Sequence, residues 1–373
     1  MTSRPRIALI HDRLNVRGGA ERVLEELAGM YPAAPIYTLI YKPELFASTP
    51  IGRHEVRSSI IGKFPGAADH HRIYIPIMPL IIDRLRLHEF DVLISSSAAF
   101  AHGVRTRPDQ LHVSYIHSPM RYAWHQYRDH VAHPGYGSIF IKMLLAYLRT
   151  WDRKAAQRAD YLVANSQWTA NKVKEAFHRE STIIHPPVHV KKFQPASSRG
   201  DYYLTVCRFV PYKRVDLIVK AFNKLALPIV IVGDGPERRQ IQKLAGPSVK
   251  ILPFRTEEQL IKVMSEAKAF VYAAEEDFGI AAVEAQAAGC PVIAFGRGGL
   301  TESVMEGVTG LLFTDQKEEA IVETVEQFER VKGKFSVDAI TKNAERFNAE
   351  HFVAKFSAFM DEKIDQKSRS GRV

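Results

Sequence analysis

The chain has 373 residues, of which 46% are hydrophobic and 25% are charged, and these values are typical of soluble globular proteins. Its length allows two domains of ordinary size, each with its own core. The sequence has no apolar run near the roughly 20 residues that a membrane-spanning helix needs, and residues 7–10 are too short a run for a secretion signal. Cys207 and Cys290 lie in apolar surroundings, which favours buried free thiols in a reducing compartment. We therefore expect a cytoplasmic protein.

The formal net charge of +10 calls for an anionic partner. Nucleic acid, an acidic membrane surface and a phosphorylated ligand would each satisfy it. Nucleic acid is disfavoured, because the chain has no helix-turn-helix, zinc-finger or RRM motif and its basic residues are spread along the sequence. The charge alone does not choose between the other two.

Short apolar runs alternate with helical stretches along the chain, which is the pattern of doubly wound α/β domains. A Pro-, Ser- and Gly-rich stretch at residues 184–200 separates two sets of runs and predicts a hinge. We expect Rossmann-like domains at residues 1–187 and 188–347, and a C-terminal crossover helix and tail at 348–373 that pack back across the hinge. The predicted strands are residues 6–11, 36–40, 91–95, 111–116 and 161–164, then 202–206, 228–232, 249–252, 269–272 and 292–295.

A glycine pair, Gly18 and Gly19, follows the first predicted strand and opens a predicted helix. Paired glycines allow a ligand to approach the backbone at a helix N-terminus. A tight strand-to-helix turn explains them equally well. Neither this loop nor the one at Gly233 has the Gly-x-Gly-x-x-Gly spacing of a dinucleotide site, which argues against a redox enzyme.

His117 directly follows the strand predicted at residues 111–116. Open α/β sheets bind ligands beyond the carboxyl ends of their strands, so two facing domains would place His117 in a cleft. An imidazole there could hydrogen-bond a sugar hydroxyl. Because the chain has 15 histidines, a structural role is the more frequent outcome for any single one.

Two segments of the first half, residues 72–86 and 138–154, are strongly apolar and punctuated by basic residues. Such segments can lie on an anionic membrane surface or hold a lipid tail. An interdomain packing helix explains residues 138–154 equally well. Together the two segments make a lipid-linked acceptor plausible.

Arg208 follows the strand at residues 202–206, and Lys213 comes five residues later at a helix start. An Arg fork and a Lys ammonium can neutralise the roughly two negative charges of a diphosphate without a metal. Two solvated surface charges are the alternative. Cations at a helix N-terminus oppose the helix dipole, and this favours an anion as the reason for their clustering.

The most informative motif is the segment that runs from Glu276 to Glu284 after the strand at residues 269–272. Glu276 is predicted in a glycine-containing loop and Glu284 in the following helix. Unpaired backbone N–H groups at that helix start could hold a phosphate, while both carboxylates could accept hydrogen bonds from a polyhydroxylated ligand. The combination indicates a nucleotide sugar.

These residues resemble the retaining GT-B glycosyltransferases of family 4 over nearly the whole chain. The resemblance rests on Gly18-Gly19, His117, the Arg208 and Lys213 pair, the Gly233 loop and the Glu276 to Glu284 segment. Residues 94–98 and 115–122 further resemble bacterial O-antigen and exopolysaccharide enzymes, many of them mannosyltransferases. The resemblance implies GDP-mannose as donor, a saccharide acceptor linked to polyprenyl diphosphate, and a peripheral place on the inner face of the cytoplasmic membrane.

Position by position, the resemblance implies that Arg208 and Lys213 bind the donor diphosphate and that Glu284 binds the ribose hydroxyls. Glu276 would contact the donor sugar, and His117 would approach it from the opposite domain. The remaining implied contacts are Gly18 and Gly19 near the diphosphate and acceptor, Gly233 and Phe254 near the nucleotide, and the backbone of Phe278, Gly279 and Ile280 near the sugar or phosphate. Asp277 departs from the glycine common in this family after the first Glu, and its extra carboxylate could alter the choice of donor sugar.

No Asp lies two residues from another Asp, so the acidic pair that many metal-dependent transferases use is missing and we expect no metal and no cofactor. Both glutamates are assigned to binding, which leaves no carboxylate nucleophile and predicts front-face transfer. Three alternatives stay open: a UDP-sugar donor, a catalytically silent nucleotide-sugar-binding scaffold, and a sugar-nucleotide epimerase or dehydrogenase. The third would need a dinucleotide loop that the sequence lacks.

Overall fold

The structure, a computed structural model, describes residues 5–124, 139–254 and 256–369. The chain divides into two compact units. Unit 1 comprises Met1–Pro187 and Phe352–Val373, and unit 2 comprises Val188–His351. Each unit contains a parallel β-sheet with helices between its strands, so the predicted pair of α/β domains is confirmed.

The sheet of unit 1 has seven parallel strands within the described ranges. They are β1 (Ile7–His11), β2 (Ile36–Thr38), β3 (Val56–Ser58), β4 (Val92–Ser97), β5 (Leu111–Ile116), β6 (Tyr161–Ala164) and β7 (Thr182–Ile183). Their order across the sheet is β3-β2-β1-β4-β5-β6-β7. Every residue of β4 and β5 is buried, as expected for a parallel sheet covered on both faces. The strand order reverses between β1 and β4, and doubly wound sheets bind ligands at such a point.

The helices of unit 1 cover this sheet with their apolar sides. They are α1 (Gly19–Met30), α2 (Met78–Ile82), α3 (Arg121–Trp124), α4 (Ile139–Ala156) and α5 (Gln167–Phe177). Leu148 and Trp151 of α4 are buried in the same hydrophobic cluster as Met78 and Ile82 of α2. One side of α4 is therefore part of the core of unit 1. Ser138, the first residue of the predicted apolar segment, lies outside the described residues.

The sheet of unit 2 has six parallel strands in the described part of the chain. They are β8 (Tyr203–Val206), β9 (Ile229–Val232), β10 (Val249–Leu252), β11 (Ala269–Tyr272), β12 (Val292–Phe295) and β13 (Gly310–Phe313). Their order is β10-β9-β8-β11-β12-β13, so the order reverses between β8 and β11. This is the same arrangement as in unit 1, and it places the loops after β8 and β11 side by side.

The helices of unit 2 follow the strands in alternation. In α6, Val215, Ile218, Val219 and Phe222 are all buried, so residues at i, i+3, i+4 and i+7 form the apolar side of this helix. The helices are α6 (Val215–Leu225), α7 (Arg238–Leu244), α8 (Glu257–Glu266), α9 (Ile280–Ala287), α10 (Leu300–Ser303), α11 (Glu318–Val331), α12 (Val337–Glu345) and the final helix α13 (Ala349–Arg369).

From Phe352 onward, α13 belongs to unit 1. Phe352 and Phe356 stack on each other with 5.5 Å between ring centroids, and Phe352 lies edge-on to Tyr115 of β5 at 5.9 Å. The Tyr115 hydroxyl donates to the carbonyl of Ile184 at 2.8 Å. The aromatic side of the last helix thus completes the hydrophobic core beside the strand that precedes His117.

The ten strands predicted from sequence are all present, with ends that differ by at most two residues. Three further strands, β3, β7 and β13, were missed. β3 and β7 are short and partly exposed, so they lack the apolar run that marks a buried strand. β13 begins at Gly310, where a Cβ would lie 1.9 Å from the carbonyl oxygen of Val292 in β12. Glycine, which weakens a strand pattern, is here required for close pairing.

Cys207 and Cys290 are free and buried, as the sequence indicated. Burial raises the pKa of each thiol to about 12, so both stay protonated near neutral pH. Among the described residues, no helix is both long and apolar enough to cross a membrane.

Candidate functional site

The loops after β8 and β11 meet at the carboxyl edge of the unit 2 sheet. Lys213 ends a short 3-10 helix, Pro211–Lys213, and Glu276 lies in the loop after β11. The Lys213 ammonium donates to the Tyr272 hydroxyl at 2.7 Å and forms an ion pair with the Glu276 carboxylate. The Tyr272 hydroxyl donates to Glu276 Oε1 at 3.0 Å. The structure therefore joins two predicted site residues directly, and it adds Tyr272 as their common partner.

This Lys213–Tyr272–Glu276 cluster is nearly withdrawn from water, because the side chains of Lys213 and Glu276 are only 12% and 9% exposed. Burial acts to lower the pKa of Lys213, but the adjacent Glu276 carboxylate and Tyr272 outweigh it and raise that pKa well above its ordinary value. Burial, with Glu276 adding to it, also raises the pKa of Tyr272 well above its usual range. Near neutral pH the cluster therefore holds a permanent cation and a neutral phenol. The ammonium can bind an anion and the carboxylate can accept from hydroxyl groups.

Two glycine-containing loops fix the backbone around Glu276. Gly279, which precedes α9, has a φ of +92°, and Gly298, which follows β12, has a φ of +88°. A Cβ on Gly298 would lie 2.4 Å from the carbonyl oxygen of Glu276, and one on Gly299 would lie 2.3 Å from that of Asp277. The Gly299 N–H donates to the Glu276 carbonyl at 2.8 Å. The two loops can approach this closely only because Gly298 and Gly299 lack side chains.

Three other predicted residues follow strands of unit 2 but differ in their surroundings. Arg208 is exposed and makes no side-chain hydrogen bond or ion pair with any residue that the structure describes. Gly233 is buried, and a Cβ there would lie 2.0 Å from the carbonyl oxygen of Cys207, so packing alone requires this glycine. Phe254 is 51% exposed after β10. All three lie at the carboxyl edge of the sheet, and only Arg208 offers a charged group there.

The start of α9 holds the remaining predicted residues of unit 2. Phe278 is 3% exposed, and its ring lies edge-on to Phe347 with 5.2 Å between centroids, so its side chain belongs to the core. Gly279 and Ile280 form the first turn, where backbone N–H groups lack helical partners. Glu284 lies within α9 and is 6% exposed. The predicted division between a loop glutamate and a helix glutamate is confirmed.

In unit 1, a chain of hydrogen bonds joins His117 to the glycine loop. His117 Nε2 lies 2.8 Å from the Ser96 hydroxyl of β4, and the same hydroxyl lies 3.1 Å from Nδ1 of His11 at the end of β1. His11 Nε2 lies 3.4 Å from Oε1 of Glu21 in α1. Glu21 Oε2 accepts from the backbone N–H of Gly18 at 2.9 Å. The two unit 1 features singled out in the sequence are therefore connected through three polar side chains.

Gly18 is the N-cap residue of α1 and is half-buried, and Gly19 is its exposed first residue. Beside them, the Asp12 carboxylate accepts backbone N–H bonds of 2.6 to 2.7 Å from three residues of the turn after β4, namely Ala98, Phe100 and Ala101. Asp12 therefore holds that turn against the end of β1. This places the carboxyl ends of β1 and β4 in a fixed relation.

Sequence reasoning did not select His11, Ser96, Tyr272 or Gly298 as site residues. The signal available for them was position, because each lies at or just beyond the carboxyl end of a strand in a parallel sheet. Their residue types gave no further indication. Tyr272 and Ser96 in particular read as ordinary members of buried strands.

Gly298→Ala should disturb the backbone around Glu276 more than Gly307→Ala, although both substitutions place an alanine at a positive φ. Gly307 also has a positive φ, +72°, but a Cβ there meets nothing within 4 Å. Both variants acquire backbone strain, about 1–2 kcal/mol, and only Gly298→Ala adds a collision with backbone, about 1–3 kcal/mol. Amide hydrogen exchange in β11 and β12 measures the difference. Equal protection in the two variants would show that the close approach of Gly298 to the Glu276 carbonyl does not constrain the two loops.

Two family models match the chain. The one described as Glycosyltransferase Family 4 matches residues 17–192, and the one described as Glycosyl transferases group 1 matches residues 190–347. The two matches meet at residues 190–192, and together they cover every strand given above except β1.

Two curated relatives carry the description D-inositol 3-phosphate glycosyltransferase. That of Mycobacteroides abscessus is 29% identical over 223 residues, which cover 53% of this chain and 50% of the relative. That of Mycobacterium sp. strain KMS is 32% identical over 190 residues, which cover 43% of each chain. The chain spans about half the length of these relatives or somewhat less.

Two solved structures resemble the whole chain. Sucrose-phosphate synthase from Thermosynechococcus elongatus has a TM-score of 0.75 and 17% identity, covering 97% of this chain and 100% of that one. HepE of Anabaena, in complex with UDP and glucose, has a TM-score of 0.72 and 17% identity, covering 96% and 100%. At such identities the likeness establishes the fold. With this fold and the two adjoining family domains, the chain belongs to the GT-B glycosyltransferases of group 1 and family 4.

Proposed function

We propose that this protein is a retaining, metal-independent glycosyltransferase that moves a hexose from a nucleotide sugar to a saccharide acceptor in bacterial surface polysaccharide synthesis. The observation that carries the proposal is the buried Lys213–Tyr272–Glu276 cluster. It sets a fixed cation beside a carboxylate at the edge of a parallel sheet. A sugar diphosphate presents the complementary pair of groups, an anion and several hydroxyls.

The ion pair itself favours a ligand that carries both groups. A buried charge that loses its partner is strongly destabilised, by about 3–5 kcal/mol. A simple anion that drew Lys213 away would leave the Glu276 carboxylate without its cation. A nucleotide sugar can engage Lys213 through its diphosphate and Glu276 through its sugar hydroxyls, so both charged groups stay satisfied. The cluster therefore favours a ligand that carries both a diphosphate and a sugar.

The remaining donor contacts follow the family resemblance. Arg208, exposed after β8, would add a second positive charge to the diphosphate, and Glu284 would bind the ribose. His117 would bind a sugar hydroxyl. Further contacts are assigned to Gly18, Gly19, Gly233, Phe254 and the backbone N–H groups of Phe278, Gly279 and Ile280.

The proposed reaction is front-face transfer, because the cluster offers no group placed to act as a nucleophile. Glu276 is already bonded to Lys213 and Tyr272, and the Cys207 thiol stays protonated, so neither is placed to act as a nucleophile. In the proposed step the bond from the anomeric carbon to the diphosphate breaks, and the acceptor oxygen bonds to that carbon on the same face. The acceptor proton passes to a diphosphate oxygen. Lys213 and Arg208 stabilise the charge that develops on the leaving group.

GDP-mannose is the proposed donor, on the resemblance to mannosyltransferases. A UDP-hexose is the second candidate, and it is favoured by the complex of the structurally similar Anabaena HepE with UDP and glucose. The exposed Phe254 after β10 leaves a surface on which either base can stack.

Lys213→Ala and Arg208→Ala should each lower transfer on the order of a hundredfold or more, because each removes a charge that stabilises the leaving diphosphate. Arg208 is exposed, so its loss leaves the fold intact even where loss of the buried Lys213 destabilises unit 2. Lys220→Ala, an exposed change on α6, is the matched control. Release of nucleoside diphosphate, with an extract of lipid-linked saccharides as acceptor, measures turnover. Full activity in both variants would contradict the proposal.

Thermal-shift titration with GDP, UDP and ADP, followed by GDP-mannose and UDP-glucose, tests the donor. A ligand that binds only the folded state at 100 times its Kd adds about 2.7 kcal/mol of stability. We expect GDP and GDP-mannose to raise Tm most. A selective rise with the uridine compounds would replace the donor by a UDP-hexose, and no rise with any of them would contradict the proposed nucleotide-sugar site.

The acceptor is proposed to be linked to polyprenyl diphosphate and reached at an anionic membrane surface. Ile139, Phe140 and Met143 at the start of α4 are 63%, 78% and 63% exposed, and Lys142 between them is also exposed. Met78 and Ile82 of α2 are buried in the same hydrophobic cluster as Leu148 of α4, which places α2 beside α4. The segment at residues 72–84, which contains α2, exposes Ile73 and Leu80 together with Arg72 and Arg84. Apolar groups flanked by bases suit an anionic lipid interface.

Co-sedimentation with vesicles tests this surface. The chain should bind vesicles that contain phosphatidylglycerol better than vesicles of phosphatidylcholine alone. Phe140→Ser with Met143→Ser should weaken that binding about tenfold or more, since each buried methylene contributes about 0.8 kcal/mol. Met305→Ser with Val308→Ser, at 45% and 43% exposed positions of unit 2, is the control. An equal loss of vesicle binding in both double variants would show that the start of α4 is not the membrane-binding surface.

A further inference from the structure

Three polar side chains stand between the start of α1 and His117. Glu21, His11 and Ser96 are 7%, 2% and 0% exposed. At such burial each polar atom needs a partner in the protein. Their contacts form one line, from Glu21 to His11, from His11 to Ser96, and from Ser96 to His117.

Glu21 determines which atom donates and which accepts in each of these hydrogen bonds. Its second oxygen accepts from the Gly18 N–H at the N-terminus of α1, and a helix N-terminus favours a negative charge. An ionised carboxylate only accepts hydrogen bonds. The atom of His11 that faces it, Nε2, must therefore carry the proton. In a neutral imidazole the other nitrogen, Nδ1, is then an acceptor.

The Ser96 hydroxyl carries this polarity on to His117. A hydroxyl has one proton and can accept through its lone pairs. Its proton is directed to His11 Nδ1, so towards His117 it acts as an acceptor. His117 must then donate through Nε2, which leaves Nδ1 of a neutral His117 as an acceptor.

We propose that Glu21 is a positioning residue that fixes the tautomer of His117, so that Nε2 carries the proton, and that this tautomer serves the binding of the donor sugar. The first half stands on the contacts within unit 1, and the second half rests on the proposed function. Glu21 acts through His11 and Ser96 and need not touch substrate. The Gly18 N–H thereby links the geometry of the glycine loop to the proton position on His117.

Nitrogen NMR of protein labelled with ¹⁵N-histidine reports which ring nitrogen carries the proton. The His117 signals are assigned by their loss in His117→Asn. We expect a protonated Nε2 and an unprotonated Nδ1. A His117 with its proton on Nδ1 would overturn the proposal, and this is also what a His11 imidazolium would produce, because it would donate to Ser96 through Nδ1.

Glu21→Gln should reverse the tautomer. The Gln oxygen can still accept from Gly18, which turns the amide NH₂ towards His11 Nε2. His11 must then accept there and donate through Nδ1 to Ser96, and Ser96 must donate to His117 Nε2. Glu25→Gln is the control, since Glu25 lies one turn along α1 and pairs with Arg17. The proposal fails if Glu21→Gln leaves the His117 tautomer unchanged.

Ser96→Ala tests the route, because it should make the His117 tautomer insensitive to Glu21→Gln. Turnover gives a separate reading: Glu21→Gln should lower kcat/KM for the donor about tenfold, the effect of one lost or inverted hydrogen bond of about 1.4 kcal/mol. The NMR experiment needs no turnover. A chain without transferase activity can still show the predicted tautomer, and an active enzyme can lack it, so failure of the relay and failure of the proposed function are distinguishable.

Discussion

The parallel direction of the strands is the constraint on which the rest of this molecule depends. Because the strands of each sheet run the same way, every loop that leaves a carboxyl end lies at one edge. The strand order reverses between β1 and β4 and between β8 and β11, and at each reversal the loops that leave the two neighbouring strands lie side by side. His11 and Ser96 lie at the first reversal, and Lys213 and Glu276 lie beside the second. Polar side chains at these positions can face one another instead of a covering helix.

Burying charge at such an edge requires that each charged group keep a partner. In unit 2 the balance is local, since Lys213, Tyr272 and Glu276 satisfy one another. In unit 1 the Glu21 carboxylate is supported by a helix N-terminus, and it reaches His117 only through His11 and Ser96. The first arrangement suits a site where charge must be neutralised, and the second suits a site where a proton must be held in one place.

The fold was largely predictable, because buried parallel strands are apolar runs separated by helices of period 3.6. The ends of those runs also located Lys213, Glu276 and His117. Contacts between loops were not predictable, since they depend on distances across the sheet that no sequence spacing encodes. Tyr272 reads as a strand residue until the loop after β8 is placed against it. Gly298 reads as a turn glycine until the loops are placed, when a Cβ added to it would lie 2.4 Å from the Glu276 carbonyl oxygen.

The glycines show how the two kinds of information differ. Gly279 and Gly298 both adopt positive φ, a property tied to residue type, and both also border Glu276, a property of the fold. Gly233 has no positive φ, yet it too cannot carry a side chain, because the Cys207 carbonyl fills that space. A glycine motif in a loop after a strand therefore marks close approach of backbone in general. At Gly298 and Gly233 the approaching group is the backbone of a neighbouring loop, so a glycine at these positions is not by itself evidence of a bound phosphate.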